Sequence, residues 1–202
     1  MKKTALIFFM MLFGVIAYAQ SAKEMLEEIK GKWELDDNGN VTFVKIIEAP
    51  DLSKDEIYNR AFNYFTYNYV SGKAVIQNQD KDAGLLVGKG VYDDVHVGVS
   101  LVTTYVDAWH ILRVDAKDGK ARAIVTLTEY EKRMTGTGSY SAPSHSTMKI
   151  SQEYPINEKG GQKTVMSKAF YKSYQKAMKT LAGVEKAIKE GSTSKSLENS
   201  NW

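Results

Sequence analysis

The stretch Leu52–Tyr69, LSKDEIYNRAFNYFTYNY, restricts the possible folds more than any other part of this sequence. Ser53 with Glu56 three residues later has capping-box spacing: the hydroxyl can accept an orphan backbone N–H, and the carboxylate can reach back. Leu52 before the cap and Ile57 at the fourth helical position have the spacing of a hydrophobic staple. Asp55 and Glu56 place negative charge at the positive end of the helix dipole. Ile57, Tyr58, Ala61, Phe62, Phe65 and Tyr69 recur at three- and four-residue steps as one broad apolar stripe. Asn59, Arg60, Asn63 and Asn68 lie mostly off it. So much aromatic surface on one side of a helix needs a sheet or a second helix to bury it, and the stripe reads as core.

The N-terminus carries an address rather than structure. Lys2 and Lys3 precede an almost wholly apolar Ala5–Ile16, and Ala17-Tyr18-Ala19 fits the small-x-small cleavage rule. Residues 1–19 therefore predict a Sec-type signal peptide cut between Ala19 and Gln20, and a periplasmic or extracellular destination. The apolar run is short for a membrane span, so an uncleaved anchor is the rival reading. The sequence holds no Cys, which excludes a lipid-modified cysteine and any disulfide within it. The formal charge is +3; without Lys2 and Lys3 the balance is 25 basic against 24 acidic residues, or +1. That balance argues against a general electrostatic grip on nucleic acid, which needs clustered Lys and Arg.

After a short amphipathic segment at 20–32, with Met25, Leu26 and Ile29 on one side, residues 33–190 read as one domain. Trp33 and Leu35 before the Asp36–Asn40 cluster, with Val41 and Phe43 after it, read as a hairpin around Asn38-Gly39. Val41–Glu48 is apolar on both faces, which predicts a central strand, or one covered on both sides. Pro50 ends it, and Ser71-Gly72 stops the helix that follows. Four strands are expected next: Lys73–Gln79, Gly84–Tyr92, about Thr103–Val114, and Ala121–Tyr130. The Asp118-Gly119 turn joins the last two as an antiparallel hairpin, and Asp93–Leu101 is open between loop and strand. Residues 132–161 are rich in Ser, Thr and Gly and lack clear periodicity, which predicts a long mobile loop with a short strand near Met148–Tyr154. In Thr164–Glu190, Phe170, Tyr174, Ala177, Leu181, Val184 and Ile188 form a narrow seam on a second long helix. Lys168, Lys172, Lys176 and Lys179 read as its solvated face. A polar tail, 191–202, is expected to be disordered.

The elements therefore run in the order strand, helix, four strands, long helix. The strand Val41-Thr42-Phe43-Val44-Lys45-Ile46-Ile47, the capped helix start Leu52–Ala61 and Gly88-Lys89-Gly90 together resemble a domain of unknown function found in exported Bacteroidetes proteins and described as TBP-like. The resemblance covers about Trp33–Tyr130. It implies an α+β fold, β-α-β-β-β-β-α, in which a curved antiparallel sheet carries helices packed on one face. The family has no established activity or catalytic residues, so the resemblance transfers none.

Chemistry is mostly missing from the residues themselves. Nucleophilic catalysis needs an activated Ser, Cys or Lys beside a base, and the sequence has no Cys and no Gly-x-Ser-x-Gly turn. Asp93-Asp94-Val95-His96 is the one acid–His cluster; it has no second ligand group and reads as a hydrated turn. No cofactor fingerprint or metal site is recognised. What remains is a sheet face. Ala121, Ala123, Val125 and Leu127 suit helix cover, so Arg122, Ile124, Thr126 and Thr128 face away. In the preceding strand, His110, Leu112 and Val114 alternate with Trp109, Ile111 and Arg113. If the second set faces outward, Trp109, Ile111, Arg113, Arg122 and Ile124 form one mixed surface of the kind that anchors interfaces; a one-residue slip would bury Trp109 instead. The expectation is an exported non-enzymatic domain that binds a protein or small-molecule partner of the cell envelope through that face. The alternative is an envelope hydrolase using His96 or His110.

Overall fold

The computed structural model describes residues 20–69, 75–99, 102–136 and 143–191. The expected signal segment with Ala19, the Ser71-Gly72 stop and the tail beyond Gly191 lie outside them. Three helices, α1 (Ala22–Glu28), α2 (Lys54–Asn68) and α3 (Lys163–Glu190), accompany seven strands. The strands are β1 (Glu34–Leu35), β2 (Val41–Glu48), β3 (Val75–Asp80), β4 (Leu85–Val99), β5 (Val102–Lys117), β6 (Lys120–Gly136) and β7 (Ser144–Lys149). They make one antiparallel sheet in the order β1-β2-β6-β5-β4-β3. β6 is long enough to hold two partners on one side: β2 along Lys120–Leu127, and β7 along Glu129–Met134. The helices lie on one face, α2 and α3 against the central strands and α1 against α3. The expected α+β plan of an antiparallel sheet covered by helices on one side holds.

α2 starts where the cap places it. Ser53 Oγ accepts the Glu56 N–H at 3.3 Å. The reciprocal half of the expected capping box is not formed, because the Glu56 carboxylate turns to Arg60 Nε at 2.8 Å. Arg60 in turn donates through Nη1 to the Ile188 carbonyl at 2.8 Å, closing the C-terminal end of α3. A different orphan donor of the first turn is met from far along the chain: the Lys54 N–H donates to Asp118 Oδ1 at 2.7 Å. Gly119 also donates to the Leu52 carbonyl, so the β5–β6 turn fixes where the helix begins. A full capping box does occur, at Ser21 and Glu24 of α1.

Ile57, Tyr58, Ala61, Phe65 and Tyr69 of α2 are buried as the stripe predicts, whereas Phe62 is half-buried. Tyr64, which was not on the expected stripe, is buried because it lies over Gly183 of α3; a Cβ there would come within 2.9 Å of its ring. Gly88 plays the same part in the sheet, leaving room for Phe65 and Tyr69. The α3 seam is buried at Phe170, Ala177, Leu181, Val184 and Ile188, and Tyr174 sets its edge against Phe43 at 5.6 Å. Of the basic stripe, Lys172, Lys176 and Lys179 are exposed and Lys168 is half-buried.

Two expectations need correction. β2 is an interior strand between β1 and β6, as one of the two readings has it, but it is covered on one side only: Val41, Phe43 and Ile47 are buried, while Val44 and Ile46 are 52% and 54% exposed. Residues 132–161 are not one long loop. β6 runs to Gly136, β7 pairs back on it, and a 3-10 turn follows at Ile150–Gln152; 137–142 lie outside the described residues. The strand was hidden because its outward positions are charged: Glu131 and Arg133 carry ion pairs where an apolar alternation was sought.

Candidate functional site

The register carries four rows of side chains across the uncovered face. Thr42, Thr126, Ile111, Lys89 and Val75 align in one row; Val44, Ile124, Arg113 and Val87 align in the next. Ile46, Arg122, Asp115 and Leu85 follow, and on the other side Glu129, Trp109 and Val91. Trp109, Ile111, Arg113, Arg122 and Ile124 therefore share the face turned away from the helices. Arg113 and Arg122 are exposed, and Trp109, Ile111 and Ile124 half-buried among their neighbours. Val44 and Ile46 join them, although two-sided cover is one reading of their alternation.

The charged groups here are ordered. Asp115 takes Arg113 Nε on one oxygen at 2.9 Å and Arg122 Nη2 on the other at 2.8 Å. Burial pushes its carboxyl upward, but the two guanidinium hydrogen bonds more than offset this and hold it below the usual carboxylate range. Trp109 donates from Nε1 to Glu131 at 3.1 Å, and Lys89 Nζ lies 4.8 Å from its ring centroid. Glu131 is shared with His145 of β7 at 2.8 Å.

Asp93–His96 is a bulge inside β4 rather than a hydrated turn. Asp94 holds a left-handed φ of 47°, donates its N–H to Asp107 Oδ1 at 2.7 Å and pairs with Arg133 at 3.1 Å. Asp107 is fully buried on the uncovered side and is held by Arg133, also at 3.1 Å. The insertion folds the bulge so that Val95 and His96 turn inward, at 1% and 8% exposure.

Both candidate catalytic histidines lie on the helix-covered side. His110 is 3% exposed, stacks on Tyr92 with centroids 3.9 Å apart, and shares a 2.8 Å hydrogen bond between Nε2 and Tyr69 Oη. Burial pushes its imidazole down to about 4, so it is neutral near pH 7. His96 is also lowered, by burial and then by Lys172 and Lys168. Among the described residues no group of His, Asp and Glu is arranged to hold a metal ion. No helix among them is long and apolar enough to cross a membrane.

Residues 43–131 match the model of a family described as a domain of unknown function (DUF4468) with TBP-like fold. Over those residues the chain is similar to the DUF4468 family. A crystal structure of a DUF4468 family protein from Bacteroides ovatus ATCC 8483 superposes with a TM-score of 0.56 at 17% identity, covering 79% of this chain and 91% of that one. A TBP-like protein from Parabacteroides distasonis ATCC 8503 gives 0.56 at 16% identity, covering 76% of this chain and 95% of that one. At these identities the likeness is one of fold. No protein of curated function matches the chain. The DUF4468 match stops at Glu131, so β7 and α3 lie beyond it.

Proposed function

We propose that this protein is an exported, non-enzymatic binding domain, working in the periplasm or outside the cell, whose partner docks on the uncovered sheet face. One observation carries the reading: Val44 and Ile46, each about half exposed, extend the Trp109, Ile111 and Ile124 surface across a face that no helix among the described residues covers. Arg113 and Arg122, held by Asp115, add ordered charge beside it. Buried His96 and His110 favour a packing role over catalysis. The near-neutral charge and the signal-like N-terminus disfavour nucleic acid as partner.

The test compares wild type with the folded Trp109→Ala/Arg113→Ala variant in capture from cell-envelope extract. A partner held by wild type and lost by the variant supports the reading. Retention of every partner overturns it. Export is tested by sequencing the N-terminus of protein recovered from the envelope; Gln20 is expected first, and an intact Met1 would contradict cleavage. A hydrolase activity lost in His96→Ala or His110→Ala would favour the enzyme alternative.

A further inference from the structure

The lower end of the uncovered face has a feature that the docking reading does not use. Lys117 and Lys120 are register partners that close the β5–β6 hairpin, so two like charges stand directly opposite each other. Such a pair is destabilising by itself. Both oxygens of Asp115 are taken by Arg113 and Arg122. Glu48, the register partner of Lys120, makes no ion pair among the described residues, and neither do the two lysines. Arg113, Arg122, Lys117 and Lys120 against Asp115, Asp118 and Glu48 leave this end with a net charge of +1. These groups surround an open groove of about 300 Å³, lined by Ile46, Asp115, Lys117, Lys120, Ala121 and Arg122. That is the size of a small-ligand site. From Ile46 the wall runs on to Ile124 and Val44, two aliphatic residues of the adjoining row.

We propose that this groove binds a small amphiphilic anion, with a carboxylate or phosphate head between Lys117, Lys120 and Arg122 and an apolar tail along Ile46, Ile124 and Val44. The proposal rests on the open-face reading and names its ligand class. Charge complementarity places the head: the two lysines supply charge-assisted donors, and Asp115 orients Arg122 toward the groove without consuming it. The exposed aliphatic wall places the tail and gives it area to cover.

Titration of the isotope-labelled protein, followed by amide chemical shifts, decides the matter. The probes are decanoate and decyl phosphate, each below micelle formation, with inorganic phosphate and decanol as head-only and tail-only controls. Saturable shifts at 44–46 and 117–124 are expected with both amphiphiles, and the tighter of the two identifies the head group. Phosphate and decanol should bind at least tenfold more weakly. Lys117→Gln/Lys120→Gln should lose at least tenfold in decanoate affinity with the remaining spectrum unchanged; Lys117→Gln alone should lose at least threefold and serves if the double variant does not fold. Equal binding of decanol, or an unaltered double variant, overturns the proposal. Shifts that saturate around Trp109 and Ile111 instead overturn it while leaving the open-face reading standing. Absence of any shift on the face overturns it too, and the open-face reading is then judged by the Trp109/Arg113 variant.

Discussion

Gly88→Ala places one methyl group at the tightest point between sheet and helix. Its Cβ would lie 2.9 Å from Phe65 Cε1 and 3.0 Å from both Phe65 Cδ1 and Tyr69 Cδ1. Carbon atoms prefer about 3.5–4.0 Å, so the rings must retreat by roughly half an ångström or more. They have little freedom to do so. Phe65 is fully buried, stacked on Tyr69 at 5.1 Å and edge-on to Tyr64 at 6.5 Å. Overpacking of this kind costs about 1–3 kcal/mol, against which the reduced unfolded-state freedom of Ala contributes about 0.4–1 kcal/mol. A net loss of about 1–2 kcal/mol is expected, seen in urea unfolding as a lower midpoint with an unchanged slope. Phe65→Leu supplies the internal control, because the smaller side chain frees the space that the methyl group needs. The double variant should therefore be more stable than the sum of the two single effects by at least about 0.5 kcal/mol. A neutral or stabilising Gly88→Ala, or strict additivity with Phe65→Leu, would refute the packing of α2 on β4 as described here.

Three further perturbations address other parts of the molecule. His110 is held at about 4 in the fold, below its unfolded value near 6.5. The unfolded chain thus binds the proton first, and the contribution of neutral His110 to stability is complete above about pH 6.5 and lost as pH falls through about 4. Replacing it in His110→Gln should remove a slope of up to about 1.4 kcal/mol per pH unit in that window, read from urea midpoints across pH. Asp118→Ala removes the acceptor for the Lys54 N–H and should cost about 1 kcal/mol, with Asp118→Asn recovering most of it. Arg133→Met takes the guanidinium from the buried Asp107 carboxylate, which then keeps only the Asp94 N–H among the described residues, and should cost about 1–3 kcal/mol, more than Asp107→Asn, which leaves the exposed end of Arg133 free to rehydrate. Thermal and urea denaturation of each variant checks these two values.

What was legible in the sequence follows from periodicity. The α2 stripe, the α3 seam and the alternation of β5 and β6 repeat an apolar side chain at a period set by local geometry, and each was placed on its proper face. The same alternation puts Trp109, Ile111, Arg113, Arg122 and Ile124 on one face. The misses share a different physics. Val44 and Ile46 are aliphatic but exposed, and no local pattern distinguishes an aliphatic residue awaiting a partner from one already covered. The second half of β6 is stabilised by Arg133, Glu131 and the bulge at Asp94, whose partners come from β4, β5 and β7, so it showed no apolar period. The Lys54–Asp118 contact spans 64 residues and adds to a cap that looked locally sufficient. Lys117 and Lys120 read as ordinary turn residues until the register set them opposite each other beside two arginines.

The central claim is that one face of the sheet is sealed by α2 and α3 while the other is open. The protein has no cysteine, so single cysteines introduced along β2 report on each face without interference. Thiol-labelling rates at positions 43, 44, 46 and 47 of otherwise unaltered protein measure the claim directly. The account predicts fast labelling of Val44→Cys and Ile46→Cys, and labelling slower by about a hundredfold or more for Phe43→Cys and Ile47→Cys, which need local opening to react. Equal rates at all four positions, or protection at 44 and 46, would contradict it.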